Sequence, residues 1–398
     1  MKLSRGINII IFNLIIVAII GCLMRYYFLD PISGVNYGYM LHAHSHLAFL
    51  GWVFMALYIL ITYVYLPFDF RKRRKYANMF IFLQVANMGM LFTFPFMGYA
   101  FWSILFSAIH ALLAMFFARV FVKDTLLKLP KKHQFSFSFV KWGLILMAIS
   151  NLAPFALGPV SATQGKGDLY YLLIYFYLHF QYNGWFTFAL LGLMFWLLED
   201  QGISTKSRML RIGFYLKLFA VFPAYILSTL WTDPHPIMYV LGGLAALMQT
   251  AGLFFLLRFL LSHIFIFHKE KRHFHRILFW VGSLAIITQH VLIVLSAVPS
   301  LSVQAFTRNV VIAYLHLVLI GFVSTWILHQ FFQHQFILKN TITKLGIGLF
   351  LAAFIFTEII LIQQSKIENA SFWLFVLALM QLCGILSISV NLNRKIES

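Results

Sequence analysis

Residues 42–52 read HAHSHLAFLGW, and the part that decides the fold runs from His46 to Trp52. It combines a histidine, four residues, a glycine and a large aromatic residue within a long apolar segment. The same pattern returns as HFQYNGW at 179–185 and as HLVLIGF at 316–322. The copies are spaced by roughly one third of the 398-residue chain, so the pattern indicates an internal repeat.

The composition is that of a membrane protein, with 62% hydrophobic and only 10% charged residues. Apolar runs of about 20 residues cross a bilayer as single helices, and such helices satisfy their own backbone polar groups. We therefore predict an all-α integral membrane protein with about 12 transmembrane helices and the lipid bilayer as its surroundings. The predicted spans are 8–25, 39–65, 77–97, 99–122, 138–158, 170–198, 210–231, 237–264, 275–297, 308–334, 342–362 and 370–391.

The net charge of +19 is concentrated in the loops that follow even-numbered spans. These basic clusters lie at 71–75, 123–132, 206–211, 269–276 and 339–344, and the loops after odd-numbered spans carry few charges. The positive-inside rule then places both termini in the cytoplasm, and we expect a bacterial inner membrane. Because the charge reflects topology, a nucleic-acid partner is not expected.

The repeated motif falls on spans two, six and ten, which are four spans apart each time. We therefore predict a single polytopic domain, residues 1–398, made of three pseudo-repeated four-helix arcs. The arcs run roughly over 1–135, 136–270 and 271–398. Each arc would place its motif histidine in the outer half of the membrane, where His290 of span nine and His110 of span four are also expected.

A layer of histidines inside a membrane is a functional hypothesis by default, because ionisable side chains are costly there. Neutral imidazoles with few carboxylates nearby suit haem iron or copper. Gly51 and Gly321 would allow a flat macrocycle or a neighbouring helix to approach closely. The alternative is that the histidines and glycines are ordinary helix-packing residues.

Twelve spans in three four-helix arcs, with histidines on spans two, six and ten, resemble subunit I of the haem–copper oxidase superfamily. That superfamily includes the nitric oxide reductases, and the opening HAHSH also resembles the NnrS-type proteins. The resemblance implies a low-spin b-type haem between His46 and His316. We favour His46 because it alone has the repeated glycine spacing, but His42 and His44 remain open. His42 lies one turn away on the same face, whereas His44 points elsewhere.

The resemblance also implies copper or a second metal at His179. His290 and His110 have no clear counterpart in the oxidase pattern; they could complete a different metal site with His179 or donate hydrogen bonds to haem propionates. The match then fails, because residues 221–231 lack the histidine pair of span seven. Tyr314 stands where the family has the first histidine of span ten. Tyrosine can bind haem iron, so Tyr314 is kept as a candidate ligand.

The expected function is electron transfer, or the handling of nitric oxide or oxygen, with a redox partner or other membrane subunits. Whether the chain is an oxidoreductase in its own right stays open, since the catalytic ligands are incomplete. A terminal oxidase or nitric oxide reductase subunit is the alternative with the same fold. A repeat-built transporter with a histidine-lined pathway and a membrane scaffold are the alternatives from other classes.

Overall fold

The computed structural model describes residues 2–263 and 274–393, and the side chains of 274 and 275 are outside the description. Eleven helices among the described residues are long and apolar enough to cross a membrane. The prediction of an all-α integral membrane protein of about twelve helices is therefore confirmed. The predicted basic positions at 269–272 lie outside the described residues.

Twelve long helices in the described residues follow the predicted spans, with ends that differ by a few residues. They are α1 (Leu3–Tyr26), α2 (Tyr37–Tyr65), α3 (Arg74–Met97), α4 (Phe101–Leu126), α5 (Lys131–Gln164), α6 (168–200), α7 (Arg208–Thr232), α8 (Ile237–Ser262), α9 (Phe274–Leu295), α10 (Arg308–Gln333), α11 (Thr341–Ile362) and α12 (Ala370–Ser389). Short helices lie between them at Phe68–Arg71 and Pro299–Ala305. Helix α7 changes to a 3₁₀-helix over Pro223–Thr232.

Helix α6 completes the set of twelve long helices, but its hydropathy is too low to place it among the eleven candidate membrane spans. It carries His179, Gln181 and Asn183 within its apolar run. Every residue from 179 to 195 is nevertheless buried. A helix enclosed on all sides can carry polar side chains, because protein groups rather than lipid surround them.

Each copy of the repeated motif leaves the α-helical hydrogen-bonding pattern at the same place. The π-helical segments Leu47–Phe54, Phe180–Phe186 and Leu317–Ser324 each begin directly after the motif histidine. Continuous buried stretches accompany them at 49–62, 179–195 and 321–332. π-helices are rare and are frequent at functional sites. Their equivalent positions support the repeat that the sequence predicts.

The wider turns of a π-helix free backbone carbonyls, which need partners inside a membrane. Side chains donate a hydrogen bond to at least one carbonyl in each segment: Asn13 Nδ2 to Gly51 at 2.8 Å, Thr187 Oγ1 to Tyr182 at 2.6 Å, and Ser324 Oγ to Leu319 at 2.7 Å. Each π-helical segment therefore has side-chain partners within the protein.

The chain divides into two compact units. Unit one contains Met1–Phe117 and Ile327–Ser398, and unit two contains Ala118–Trp326. These units do not follow the predicted arc boundaries, since unit two holds the second arc together with parts of the other two.

The helix contacts within each unit repeat from arc to arc. In unit one, α1 packs against the π-helical segment of α2, and α11 packs against α12. In unit two, α5 packs against the π-helical segment of α6, α7 against α8, and α9 against the π-helical segment of α10. The first helix of each predicted arc therefore contacts the π-helical segment of the second.

Candidate functional site

His46 belongs to unit one and lies in α2, directly before the first π-helical segment. Its Nδ1 lies 2.9 Å from the carbonyl oxygen of His42. Because a carbonyl can only accept, Nδ1 carries the proton and Nε2 keeps its lone pair. The ring packs against Phe94 and Tyr99, with centroids 4.3 Å and 5.9 Å away. A histidine that binds a metal commonly donates its other N–H to a carbonyl in this way.

The other two histidines of HAHSH point in different directions. The ring of His42 lies 4.5 Å from Tyr99 and 6.0 Å from Phe94, so it shares the aromatic pair with His46. His44 turns towards α1, where its Nδ1 lies 3.0 Å from the carbonyl oxygen of Val17. The expectation that His42 and His46 share a face, and that His44 does not, is confirmed.

His110 of α4 lies in the same unit and is only 1% exposed. Its ring meets the edge of Phe54 at a centroid distance of 5.1 Å, and it is near enough to His46 for an electrostatic interaction. Its Nε2 is buried and has no hydrogen-bond partner among the described residues. An unpaired buried nitrogen is costly, so a bound group that satisfied it would stabilise this part of unit one.

The motif glycines lie where neighbouring side chains approach closely. A Cβ atom on Gly51 would lie 2.5 Å from Leu47 Cδ1 and 3.4 Å from Asn13 Nδ2. A Cβ atom on Gly184 would lie 3.0 Å from Leu146 Cβ of α5. These contacts favour a packing role for Gly51 and Gly184. Contact of Gly51 or Gly321 with a cofactor stays a prediction.

His179 in unit two has both ring nitrogens in hydrogen bonds. Nε2 donates to the carbonyl of Val221 at 2.8 Å, and Nδ1 accepts from Asn183 Nδ2 at 3.2 Å. The Val221 carbonyl lies where α7 tightens into its 3₁₀ segment, in which the Tyr225 N–H bonds to Phe222 instead. The helix irregularity therefore supplies the acceptor that fixes the tautomer of His179.

A chain of polar side chains continues from His179 towards α9 and α10. Gln289 Nε2 donates to Asn183 Oδ1 at 2.8 Å. Tyr314 interacts with the side chains of Gln289 and Tyr182, and the two tyrosine rings have centroids 5.9 Å apart. The structure thus brings two predicted site residues, His179 and Tyr314, into one network of unit two.

Lys217 lies in the middle of α7 with none of its surface exposed. Its Nζ lies 2.9 Å from Gln249 Oε1 of α8 and 2.5 Å from His290 Nε2 of α9. His290 Nδ1 donates to the Ile286 carbonyl at 2.9 Å, so its Nε2 is an acceptor. Among the described residues no carboxylate forms an ion pair with this lysine.

The second metal site that the sequence predicts is not assembled by these contacts. The described part of the chain has no group of three or more His, Cys, Asp or Glu side chains placed to hold a metal ion. His179 and His290 use both ring nitrogens, so a metal would have to displace a hydrogen-bond partner. His110 belongs to unit one, whereas the other two belong to unit two. A metal at His179, His290 and His110 stays a prediction. The arrangement of these three residues in the structure does not fit such a site.

Lys217, Gln249 and Gln289 are not predicted as site residues from the sequence, where Asn183 appears only as part of a motif. The sequence does mark Lys217 as a candidate, because it is the single charged residue in the stretch 212–231. An ionisable residue inside a span marks a functional site by default. The two glutamines offer no comparable signal, since their partners become visible only when α8 and α9 are placed beside α7.

Helices α7 and α8 approach closely next to Lys217. A Cβ atom on Gly252 would lie 2.8 Å from the backbone nitrogen of Lys217 and 2.9 Å from the carbonyl oxygen of Gly213. Backbone atoms cannot yield unless the helix moves, so we expect Gly252→Ala to destabilise the protein by about 2 kcal/mol. The thermal midpoint of the purified protein in detergent measures the loss.

The matched control is Gly348→Ala in α11, where a Cβ atom would have no neighbour within 4 Å. Alanine has the higher helix propensity, so this midpoint should stay constant or rise slightly. Equal midpoints for the two variants would show that α7 and α8 are not in close contact at Gly252.

Among known proteins, no family model matches the chain and no curated sequence matches it at a significant level.

Proposed function

We propose that the chain is a haem-binding integral membrane protein with an architecture like that of a divergent oxidase subunit I. Its role would be electron transfer or the handling of nitric oxide or oxygen. The observation that carries the proposal is the state of His46, whose Nδ1 is bonded to the His42 carbonyl while Nε2 keeps a lone pair. Non-covalent haem b is the expected group, and His46 would hold its iron through Nε2.

The residues around His46 fit a haem. Phe94 and Tyr99 provide aromatic surface beside the ligand ring, and the unpaired Nε2 of His110 offers a polar contact in the same unit. When bound, a haem iron supplies one-electron chemistry and the capacity to bind diatomic gases. The His42 carbonyl holds the tautomer of His46, and the bond from His44 to Val17 orients this turn of α2 on α1.

His316 is proposed, from the sequence alone, as the second residue that would hold the haem. The structure adds that His316 directly precedes the third π-helical segment, just as His46 precedes the first. The proposal also includes cytoplasmic termini, a bacterial inner membrane, and a redox partner or further membrane subunits. These parts rest on the distribution of basic loops and on the resemblance.

A second candidate function is transport along a histidine-lined pathway, and a specific observation favours it. The amino group of Lys217 is fully buried, and its two partners, Gln249 and His290, are uncharged acceptors. Buried ionisable groups of this kind are typical of proton and ion pathways in membranes. A protein that binds no haem, but loses transport activity in Lys217→Met, would favour this second function.

The test of the first proposal is the haem content of protein purified from haem-replete cells, measured as the pyridine haemochrome. We expect a stoichiometric amount of haem b. Copper and a second, high-spin haem in the same sample would instead favour the catalytic oxidase or nitric oxide reductase alternative. Haem far below stoichiometric amounts, both as purified and after reconstitution, would contradict haem binding altogether.

A further inference from the structure

A groove of about 450 Å³ opens on the surface of unit two beside α7 and α8. It is lined by Arg208, Arg211, Ile212, Tyr215, Leu216, Phe219 and Met248. The two arginines occupy one end of the groove, and its remaining walls are apolar or aromatic. The groove is thus amphiphilic along its length.

The lining residues form a single stripe along α7. Positions 208, 211, 212, 215, 216 and 219 follow the three- and four-residue spacing of one helix face. The stripe runs from Arg208 to Phe219, a distance of about 16 Å along the helix. Tyr215 and Phe219 are 51% and 61% exposed, and their rings stack with centroids 5.9 Å apart. The stripe matches a phospholipid in length and in order, with a charged end for the headgroup followed by an apolar surface for an acyl chain.

The charged end of the stripe consists of two neighbouring arginines. Arg208 and Arg211 are one turn apart, at the start of a helix with no acidic residue in its first turn. Like charges at this spacing repel, and cations are unfavourable at the positive end of a helix. Neither arginine forms an ion pair among the described residues. An anion at this end would relieve the repulsion.

A second groove of the same molecule lacks the charge of the groove on α7. This second groove, of about 210 Å³, lies in unit one and is lined by Asn8, Ile11, Phe12, Ile15, Ser389, Val390 and Leu392. None of these residues is charged. A general annular lipid would suit either groove, but of these two only the groove on α7 offers positive charge to an anionic headgroup.

We propose that this groove is a binding site for an anionic phospholipid. The phosphate lies against Arg208 and Arg211, and one acyl chain runs along Tyr215, Phe219 and Met248. Arginine is well suited to this contact because its planar guanidinium group binds phosphate oxygens in pairs. Helices with basic residues at a membrane surface attract anionic lipid electrostatically, and the apolar stripe adds a defined place for the chain. The site is independent of haem binding.

The test is native mass spectrometry of the full-length protein with phosphatidylglycerol or phosphatidylcholine of equal chain length. We expect the intact protein to retain phosphatidylglycerol preferentially. The double variant Arg208→Gln/Arg211→Gln should bind it about thirtyfold more weakly. The matched control, Lys123→Gln/Lys128→Gln, removes the same charge from exposed positions and should keep the preference. Thermal midpoints in phosphatidylcholine check that both variants remain folded.

A further variant separates a lipid from a free phosphate. Phe219→Ser leaves both arginines in place, so it should weaken phosphatidylglycerol binding by removing part of the chain contact. If inorganic phosphate displaced the lipid and bound equally well to Phe219→Ser, the site would be one for a free anion. That result would overturn the proposal. An equal loss of phosphatidylglycerol in the Lys123/Lys128 control would overturn it as well, because the attraction would then be general.

Discussion

Replacement of His46 with alanine is expected to lower the haem content of the purified protein at least about tenfold. The Nε2 lone pair of His46 is available because the His42 carbonyl holds the ring proton on Nδ1. Alanine removes this ligand and leaves a void beside Phe94, with which the His46 ring is in contact. The measurement is the ratio of haem to protein absorbance after purification from haem-replete cells.

The control for this variant is His44→Ala, one of the two positions that the sequence leaves open. His44 bonds to Val17 of α1, so its loss should cost about 1 kcal/mol of stability while haem is retained. Haem retained by His46→Ala and lost by His44→Ala would show that the ligand is misassigned. His42→Ala then tests the remaining open position, since His42 shares the aromatic pair with His46.

The second large effect is expected around the buried Lys217 of unit two, which contacts Gln249 and His290. Gln249→Leu removes one of the two acceptors of Lys217 without a large change in volume, and it leaves the fully buried amino group with His290 alone. Leaving a buried hydrogen-bonding group without its partner costs up to about 3 kcal/mol. Thermal unfolding in one detergent, compared across variants, measures this loss.

The double variant Lys217→Met/Gln249→Leu is the decisive comparison. Removing the Lys217 amino group also removes the donor that needs the acceptor, so the double variant should lose less stability than the two single variants added together. A matched control is Lys141→Met in α5, which removes an exposed lysine and should change stability little. Strict additivity of Lys217→Met and Gln249→Leu would contradict the interaction between these side chains.

The fold class could be predicted from the sequence because its signals are local. Apolar runs give the spans by length, and the His46, His179 and His316 motifs place three of them in equivalent positions. Helix α6 shows the limit of hydropathy, since it falls below the requirement that the other eleven meet. Its histidine and asparagine lower the hydropathy of the segment, but their protein partners make a buried helix possible.

The arrangement of the candidate sites could not be predicted in the same way. The π-helical segments change which carbonyl a backbone N–H reaches, and no residue type in the motif requires that change. Pro223 signals an irregularity in α7, but nothing in the sequence says that His179 takes the nearby Val221 carbonyl. The link from Lys217 to Gln249 and His290 depends on how three helices pack. Sequence spacing alone does not determine that packing.

The most direct test of the central claim is the dithionite-reduced minus oxidised visible spectrum of the purified protein, recorded with and without CO. The proposal predicts sharp α and β bands of haem b in the intact protein and their loss in His46→Ala. Bands unaffected by CO would indicate a six-coordinate haem and electron transfer, whereas a CO-sensitive band would indicate an open iron and gas handling. A spectrum without haem bands, from protein made in haem-replete cells, would contradict the account.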